Sequence, residues 1–423
     1  MSAVVENVLG WRGLKAASDE IKRIFQDLAY PGVDICFLGD SIPVVNTGNR
    51  NRDHQEAYFE KLMQGRYNPT GVPGGKGYFP INIGGATGSP AGSGGDGVLV
   101  TSASPLNFSG GDTYAQYNLA EGTAGRQMTI QAGTTRYTAI LATGNNGQAS
   151  YNRDFVTSFE VVGRTYNGGP TLAIEGGVGA YVARGGSSTV FSVSGPKAWD
   201  MNTADTVFGA RSALIGVANR ALANRLQIFG GPSGNAAYVE GWFLCDGDET
   251  AGVRVHDLCS PGSNFGSHWT EGSLKASIDA FAQGTPRRNA GVFVLSVGIN
   301  DPNDAGIDVT AFKAYMETNI DRILQQPTKP VVIIQIAPRI DYTAVAHTKE
   351  KNESFRAALL EIQAERAGRV MILDLGISIG GGLEWSSDLR RRALNTFDGV
   401  HLTPVGHAFA ADSLFQGFKE VLG

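Results

Sequence analysis

The chain has little that would point to a metal, a membrane or a nucleic acid. It carries three cysteines, Cys36, Cys245 and Cys259, too few and too odd in number for a disulfide framework. Cys36 falls inside an apolar run and reads as a small core hydrophobe. Cys245 and Cys259 read as free thiols rather than as a pair. No His-Glu-x-x-His, Cys-x-x-Cys or phosphate-loop motif occurs, so no metal and no cofactor are expected. No apolar run approaches the roughly 18 residues of a membrane span. From Met1 to Gln26 acids and bases alternate without an apolar centre, so no secretory leader is expected. Charged residues make up 18% of the chain and the net charge is −5, which excludes a non-specific nucleic-acid binder. Lysine is almost missing between residues 84 and 248, where Lys197 stands alone.

What is present is a globular composition, 42% hydrophobic, with 57 glycines in 423 residues. That length allows two to three domains. Residues 12–29 have helical spacing, with Leu14, Ile21, Ile24, Phe25 and Leu28 on one side, and predict a helix that packs on a sheet or leads in from another module. An apolar strand at 34–38 follows, then a helix at 55–64 and a glycine-rich loop at 71–79. From Gly84 to Asp248 the texture changes to short alternating runs separated by Gly, Asn and Pro, the pattern of an antiparallel β-sandwich. Expected strands there are 127–131, 137–141, 158–162, 189–193 and 238–244; 210–226 fits a helix or two strands. Its aromatics, among them Tyr151, Tyr166, Tyr181 and Trp199, read as sandwich core or as a sugar-stacking platform. After Thr250 strands at 253–258, 292–297, 331–336 and 370–375 alternate with helices at 269–282, 309–325 and 349–367, and a last helix runs over 405–421. Strands alternating with helices specify a parallel sheet.

Three strand or chain-end positions carry chemistry. The run Asp34-Ile35-Cys36-Phe37-Leu38 enters Gly39-Asp40-Ser41 and sets a serine at the carboxyl end of a strand, where open α/β sheets place their sites. Val292 to Val297 enters Gly298-Ile299-Asn300-Asp301, and an asparagine amide suits a developing oxyanion. Asp398-Gly399-Val400-His401 offers an imidazole base and a carboxylate to orient it. Asp40 and Asp301 read as caps for nearby backbone N–H groups. His407 is a rival base within the last helix, and His54, His256, His268 and His347 read as surface or packing residues without an identifiable partner.

This constellation resembles the SGNH (GDSL-type) hydrolase family of esterases and lipases. Gly39-Asp40-Ser41 matches its first block, Gly298-Ile299-Asn300-Asp301 its third and Asp398-Gly399-Val400-His401 its fifth. Gly262, after Cys259-Ser260-Pro261, supplies the glycine of the second block, with Gly84 as its competitor. The resemblance covers 31–83 and 249–423 and leaves out the middle. It implies an α/β fold, a flavodoxin-like three-layer sandwich on a five-stranded parallel sheet, with an inserted all-β sandwich. The expected division is a helical lead-in at 1–30, hydrolase parts at 31–83 and 249–423, and the carbohydrate-binding-like insert at 84–248.

The resemblance further implies Ser41 as nucleophile, His401 as base and Asp398 as its orienting acid. Ser41 and Gly262 backbone N–H groups and the Asn300 amide would form the oxyanion hole. The activity implied is acyl, above all acetyl, ester hydrolysis on a small molecule, a polysaccharide or a cell-envelope glycan. The polar stretch Asn46 to Arg52 favours a polar substrate over the long acyl chain of a lipase or thioesterase. A glycine-rich chain of this kind also resembles phage tail and tailspike esterases. That would make a virion or further copies of the chain its partners, and it leaves open a non-catalytic glycan-binding tail protein.

Overall fold

The computed structural model describes residues 9–40, 42–43, 54–72, 75, 77–80, 99–100, 128–130, 137–141, 158–179, 190–192, 197–216, 224–229, 235, 237–245, 250–259, 263–266, 278–338, 348–379 and 399–423. Five strands form the parallel part of the main sheet. In spatial order they are Val253–Cys259, Val33–Gly39, Arg288–Val297, Val331–Ile336 and Val370–Asp374. Each was expected from an apolar run. Four of them are buried at every position, and the fifth from Ala290 onward. That follows from covering both faces of a parallel sheet.

Alternate residues feed two cores. Ile35, Phe37, Val294 and Ile333 pack with Phe59, Met63, Leu414 and Phe418 on one side. Cys36, Leu38, Leu295 and Ile334 pack with Phe312, Met316, Phe355 and Leu359 on the other. The helices that supply these partners are Gln55–Tyr67 and Pro404–Leu422 for the first core, Val309–Leu324 and Lys349–Glu365 for the second. Asp308, Thr348 and Thr403 each accept a backbone N–H at a helix start, and Pro404 sits where a missing N–H costs nothing.

Several expectations are corrected. The stretch 12–29 is not one helix. Trp11–Arg12 pairs antiparallel with Val370–Asp374 and extends the sheet, and helix is confined to Ser18–Ile24 with a short 3-10 turn at Phe25–Asp27. Trp11, Leu14 and Ile21 are buried in the first core, so this segment belongs to the sheet it covers. The stretch 71–79 is not all loop, because Gly77–Pro80 pairs with Ala237–Cys245. Over 210–226, left open between a helix and two strands, strand is found in Val207–Arg211, Ile215–Gly216 and Asn224–Phe229, with Ser212 to Leu214 irregular between the first two. Residues 278–281 are helical but Ala282 starts a strand, Ala282–Thr285, antiparallel to Arg288–Val297; 269–277 lie outside the described residues.

The middle region forms two antiparallel sheets. One has the order Lys197–Asp200, Thr171–Gly179, Asn224–Phe229, Tyr137–Leu141, Leu99–Val100, with Val190–Ser192 beside Thr171–Gly179. The other has the order Val207–Arg211, Ser158–Thr165, Ala237–Cys245, Gly77–Pro80. Ile215–Gly216 pairs with Ser158–Thr165, and Met128–Ile130 with Ala237–Cys245. The second sheet is not detached from the parallel one. Tyr78, Val162, Phe243 and Cys245 share a core with Cys36, Leu38 and Phe293.

A buried polar cluster lies at the same boundary. Arg254 bonds the Asp34 carboxylate, and His256 Nε2 lies 3.0 Å from it. The His256 Nδ1 accepts the Tyr78 backbone N–H at 3.0 Å. His256 is therefore a buried packing residue, one of the two readings its sequence allowed, and the structure adds the polar neighbours that the sequence did not reveal. Burial alone would raise the Asp34 carboxyl; Arg254 and His256 instead hold it well below the usual carboxylate range. Burial keeps the His256 imidazole below its ordinary value. Arg211 lies 4.2 Å from the Phe243 ring centroid, 3.4 Å from Glu160, and donates to the Arg287 carbonyl at 2.8 Å.

Candidate active site

Register brings the chemistry-bearing strand ends to one edge. Gly39 pairs with Cys259 on one side and with Ser296 on the other. The turns that follow therefore leave the sheet at the same level, as parallel strands with matched ends require. Gly39 has φ +133°, and a Cβ there would clash with the Ser296 carbonyl oxygen. Only glycine lets this turn pass so close to its neighbour.

Hydrogen bonds then tie the three turns together. The Ser263 hydroxyl donates to the Gly39 carbonyl at 2.8 Å. The Asn300 Nδ2 donates to the Ser263 carbonyl at 2.9 Å. Asp40 Oδ1 accepts the Ile42 backbone N–H at 3.0 Å and the Ser296 hydroxyl at 3.0 Å. Asp301 Oδ1 accepts the Phe265 N–H at 2.8 Å, and Asn352 Nδ2 donates to the Gly298 carbonyl at 3.1 Å. Asp40 and Asp301 are thus the backbone caps that their positions implied.

These carboxyls are unusual in charge. Burial pushes Asp40 up to about 6, against the opposing effects of the Ile42 and Ser296 bonds and of His401. Burial likewise pushes Asp301 up to about 7; the Phe265 N–H opposes the rise and the Asp40 carboxylate adds to it. His401 is thus near enough to Asp40 to act on it electrostatically. It is half-buried between Val400 and Leu402, which anchor in the first core. Gly399, with φ +87°, makes the turn before it, and the capped start of Pro404–Leu422 follows.

Of the five residues singled out as catalytic or oxyanion-holding, Asn300 and His401 are described. Ser41, Gly262 and Asp398 lie outside the described residues, as do Gly84, His268 and His347. The structure does place the flanks Gly39-Asp40, Ser263 and Gly399. His407 is fully buried in the last helix, and its ring stacks on that of His54 at 5.3 Å. Both therefore have a ring partner that the sequence did not reveal.

Sequence reasoning missed Ser263 and Ser296. Ser296 faces the Asp40 carboxyl from the neighbouring strand, a cross-strand relation that no local motif encodes. Ser263 could have been suspected only as the hydroxyl next to Gly262. Glu56, Asp257 and Cys259 bring one ligand-type atom each within 4.8 Å of one another. Asp257 Oδ1 accepts the Cys259 N–H at 2.9 Å, and each of the three makes further contacts within the protein. The three cysteines are free and buried. Among the described residues no helix is long and apolar enough to cross a membrane.

No family model and no curated protein matches the chain. Solved structures do. A peptidoglycan O-acetylesterase superposes with a TM-score of 0.60 at 14% identity, over 96% of this chain and 96% of its own. A carbohydrate esterase family 2 enzyme with a carbohydrate-binding domain, from Corynascus thermopiles (Myceliophthora fergusii), covers 74% of this chain and 100% of its own at 11% identity and a TM-score of 0.31. A GDSL-like lipase from Parabacteroides merdae covers 40% of this chain and 73% of its own at 12% identity and a TM-score of 0.31. At TM-scores near 0.3 the last two add no argument. The first match is too extensive to leave out the middle region, and it establishes that the chain shares the fold of an O-acetylesterase, in line with the SGNH-type resemblance of its motifs.

Proposed function

We propose that this protein is a serine esterase that removes acetyl groups from a polysaccharide or cell-envelope glycan. One observation carries the reading. The Gly39-Asp40 turn, the Ser263 turn and the Asn300 turn are hydrogen-bonded into one unit at the carboxyl edge of the sheet, with His401 beside it. A serine held there beside an imidazole, with an amide donor aimed at the same point, has the parts that acyl transfer needs.

In this reading Ser41 Oγ attacks the acetyl carbonyl while His401 takes its proton. Asp398 orients the imidazole and stabilises its charge. The tetrahedral oxyanion is held by the Ser41 and Gly262 backbone N–H groups and by the Asn300 amide. Collapse expels the sugar hydroxyl, which receives the proton from His401. Water then attacks the acetyl-enzyme by the reverse proton path and releases acetate. The mechanism routes no step through a metal or cofactor.

We read the core as a flavodoxin-like three-layer domain built from 31–83 and 249–423, preceded by the segment 1–30, with 84–248 as an inserted β-sandwich. The pairing of Gly77–Pro80 with Gly241–Leu244 supports insertion, because it brings the two ends of the stretch 84–248 close together. The fold shared with a peptidoglycan O-acetylesterase favours a glycan over a lipid as acyl carrier. The deciding experiment measures turnover of p-nitrophenyl acetate, butyrate and decanoate, and acetate release from O-acetylated peptidoglycan and xylan. Turnover of acetate over decanoate with acetate release from a glycan is expected. Decanoate as best substrate would point to a lipase, and no turnover of any ester to a binding protein.

A further inference from the structure

We infer that Ser263 is a positioning residue of the oxyanion site, holding the Asn300 amide in its donating orientation through a hydroxyl bond to the Gly39 turn. The inference rests on the esterase reading given above. An asparagine amide has two N–H bonds. One of them, on Nδ2, is given to the Ser263 carbonyl at 2.9 Å. That bond fixes the plane of the amide and leaves its second N–H in a set direction. The carbonyl can do this only if the Ser263 backbone is itself fixed. The Ser263 side chain supplies that restraint by donating to the Gly39 carbonyl at 2.8 Å, 224 residues away in sequence.

Ser263 is 2% exposed, so water does not compete for the bond. Its two anchors are the turns that lead to the nucleophile and to the amide donor. A shift in either would change the distance between attacking oxygen and oxyanion donor. Misplacements of the order of 1 Å can cost about 100-fold in rate. Loss of one hydroxyl that permits a partial relaxation should therefore cost about tenfold.

The test is a double-mutant cycle with p-nitrophenyl acetate, using the full chain. Ser263→Ala should lower kcat about tenfold while KM stays within about twofold, with the thermal midpoint lowered by no more than a few degrees, as expected of one lost buried hydrogen bond. In an Asn300→Ala background the same substitution should cost less than about twofold, because the group it positions is gone. Wild-type kcat in folded Ser263→Ala overturns the inference. So does an equal tenfold loss in both backgrounds, which would make Ser263 a support for the whole site rather than for the amide. Should Ser263→Ala not fold, Ser263→Cys, which keeps the shape and weakens the donor, carries the same comparison. An inactive wild type overturns the esterase reading and this inference with it; an active wild type with an unaffected variant overturns this inference alone.

Discussion

The parallel sheet and the antiparallel sheets of the middle region solve the same burial problem differently. In the parallel sheet both faces are covered, so Val33–Gly39 and Val331–Ile336 are buried at every position. Their side chains have no room for chemistry, which is left to the strand ends. Charges inside the parallel strands, such as Asp34 and Arg254, are paired with each other, whereas in the antiparallel sheets guanidinium groups lie on aromatic rings. Arg164 lies 3.8 Å from the Tyr238 ring centroid and Arg211 4.2 Å from that of Phe243. A planar guanidinium can stack and stay hydrogen-bonded where a compact ammonium cannot. That gives a physical reason for arginine rather than lysine at these two positions. One region therefore brings reactive groups to its strand ends, and the other holds stacked guanidinium groups within its sheets. The boundary between them is a shared core, not a tether.

The sharpest break between the two regions is chemical. Ser41→Ala should remove at least about 10³-fold of kcat with an unchanged melting curve, because the proposed nucleophile serves the strand-end site and not the packing. Retained esterase activity in the purified variant would move the chemistry elsewhere, the middle region included.

The next largest effect concerns stability. Phe243 belongs to a middle-region strand yet is fully buried with Cys36, Leu38 and the His256 ring. Phe243→Ala should cost about 3–5 kcal/mol. If the regions share one core, calorimetry should give a single transition shifted as a whole. Two transitions, with only one moved, would make the middle an independent module. For the same reason, excising 84–248 should destabilise what remains, since Val162 and Phe243 would leave a hole against Phe293 and Leu295.

The parallel core was legible because its signals are local and long. Five apolar runs gave five strands, and the helices 309–325, 349–367 and 405–421 fell within two residues of their observed ends. What was illegible depends on distant pairing. The Gly77–Pro80 strand looked like loop because two glycines and a lysine precede it, and its partner lies some 160 residues on. Trp11–Arg12 was absorbed into a helical pattern because two residues of edge strand leave no periodicity to read. At the site, Asn300 and His401 were visible as motif residues. The Asp40–Ser296 and Ser263–Gly39 bonds were not, since each joins residues more than 220 positions apart.

Within the site, Asn300→Ala should lower kcat by about 10²–10³, or about 2.7–4 kcal/mol of transition-state stabilisation, with little change in KM. Its Nδ2 bond to the Ser263 carbonyl would be lost as well, so melting should be followed in parallel. A loss confined to KM would make Asn300 a substrate-binding group and detach it from the oxyanion.

The smallest effect separates the site from both regions that carry it, and it is read in stability rather than rate. Asp40 titrates at about 6, raised from 3.8 by burial. Between these values the folded protein holds a proton there that the unfolded chain has released. Native protons in excess mean that stability falls as pH rises through that window. At two units, and about 1.4 kcal/mol per unit, the cost by pH 7 is about 2–3 kcal/mol. Asp40→Asn keeps an oxygen to accept from Ile42 and Ser296 but has no proton to lose. His401 and Asp301 still face the position, one favouring the charge and the other opposing it. The stability of the variant relative to wild type should therefore rise between about pH 4 and pH 6 and level off above. Melting curves of both proteins from pH 4 to 8 check this. A constant offset across the range would mean that Asp40 stays ionised, solvated by groups that its burial conceals.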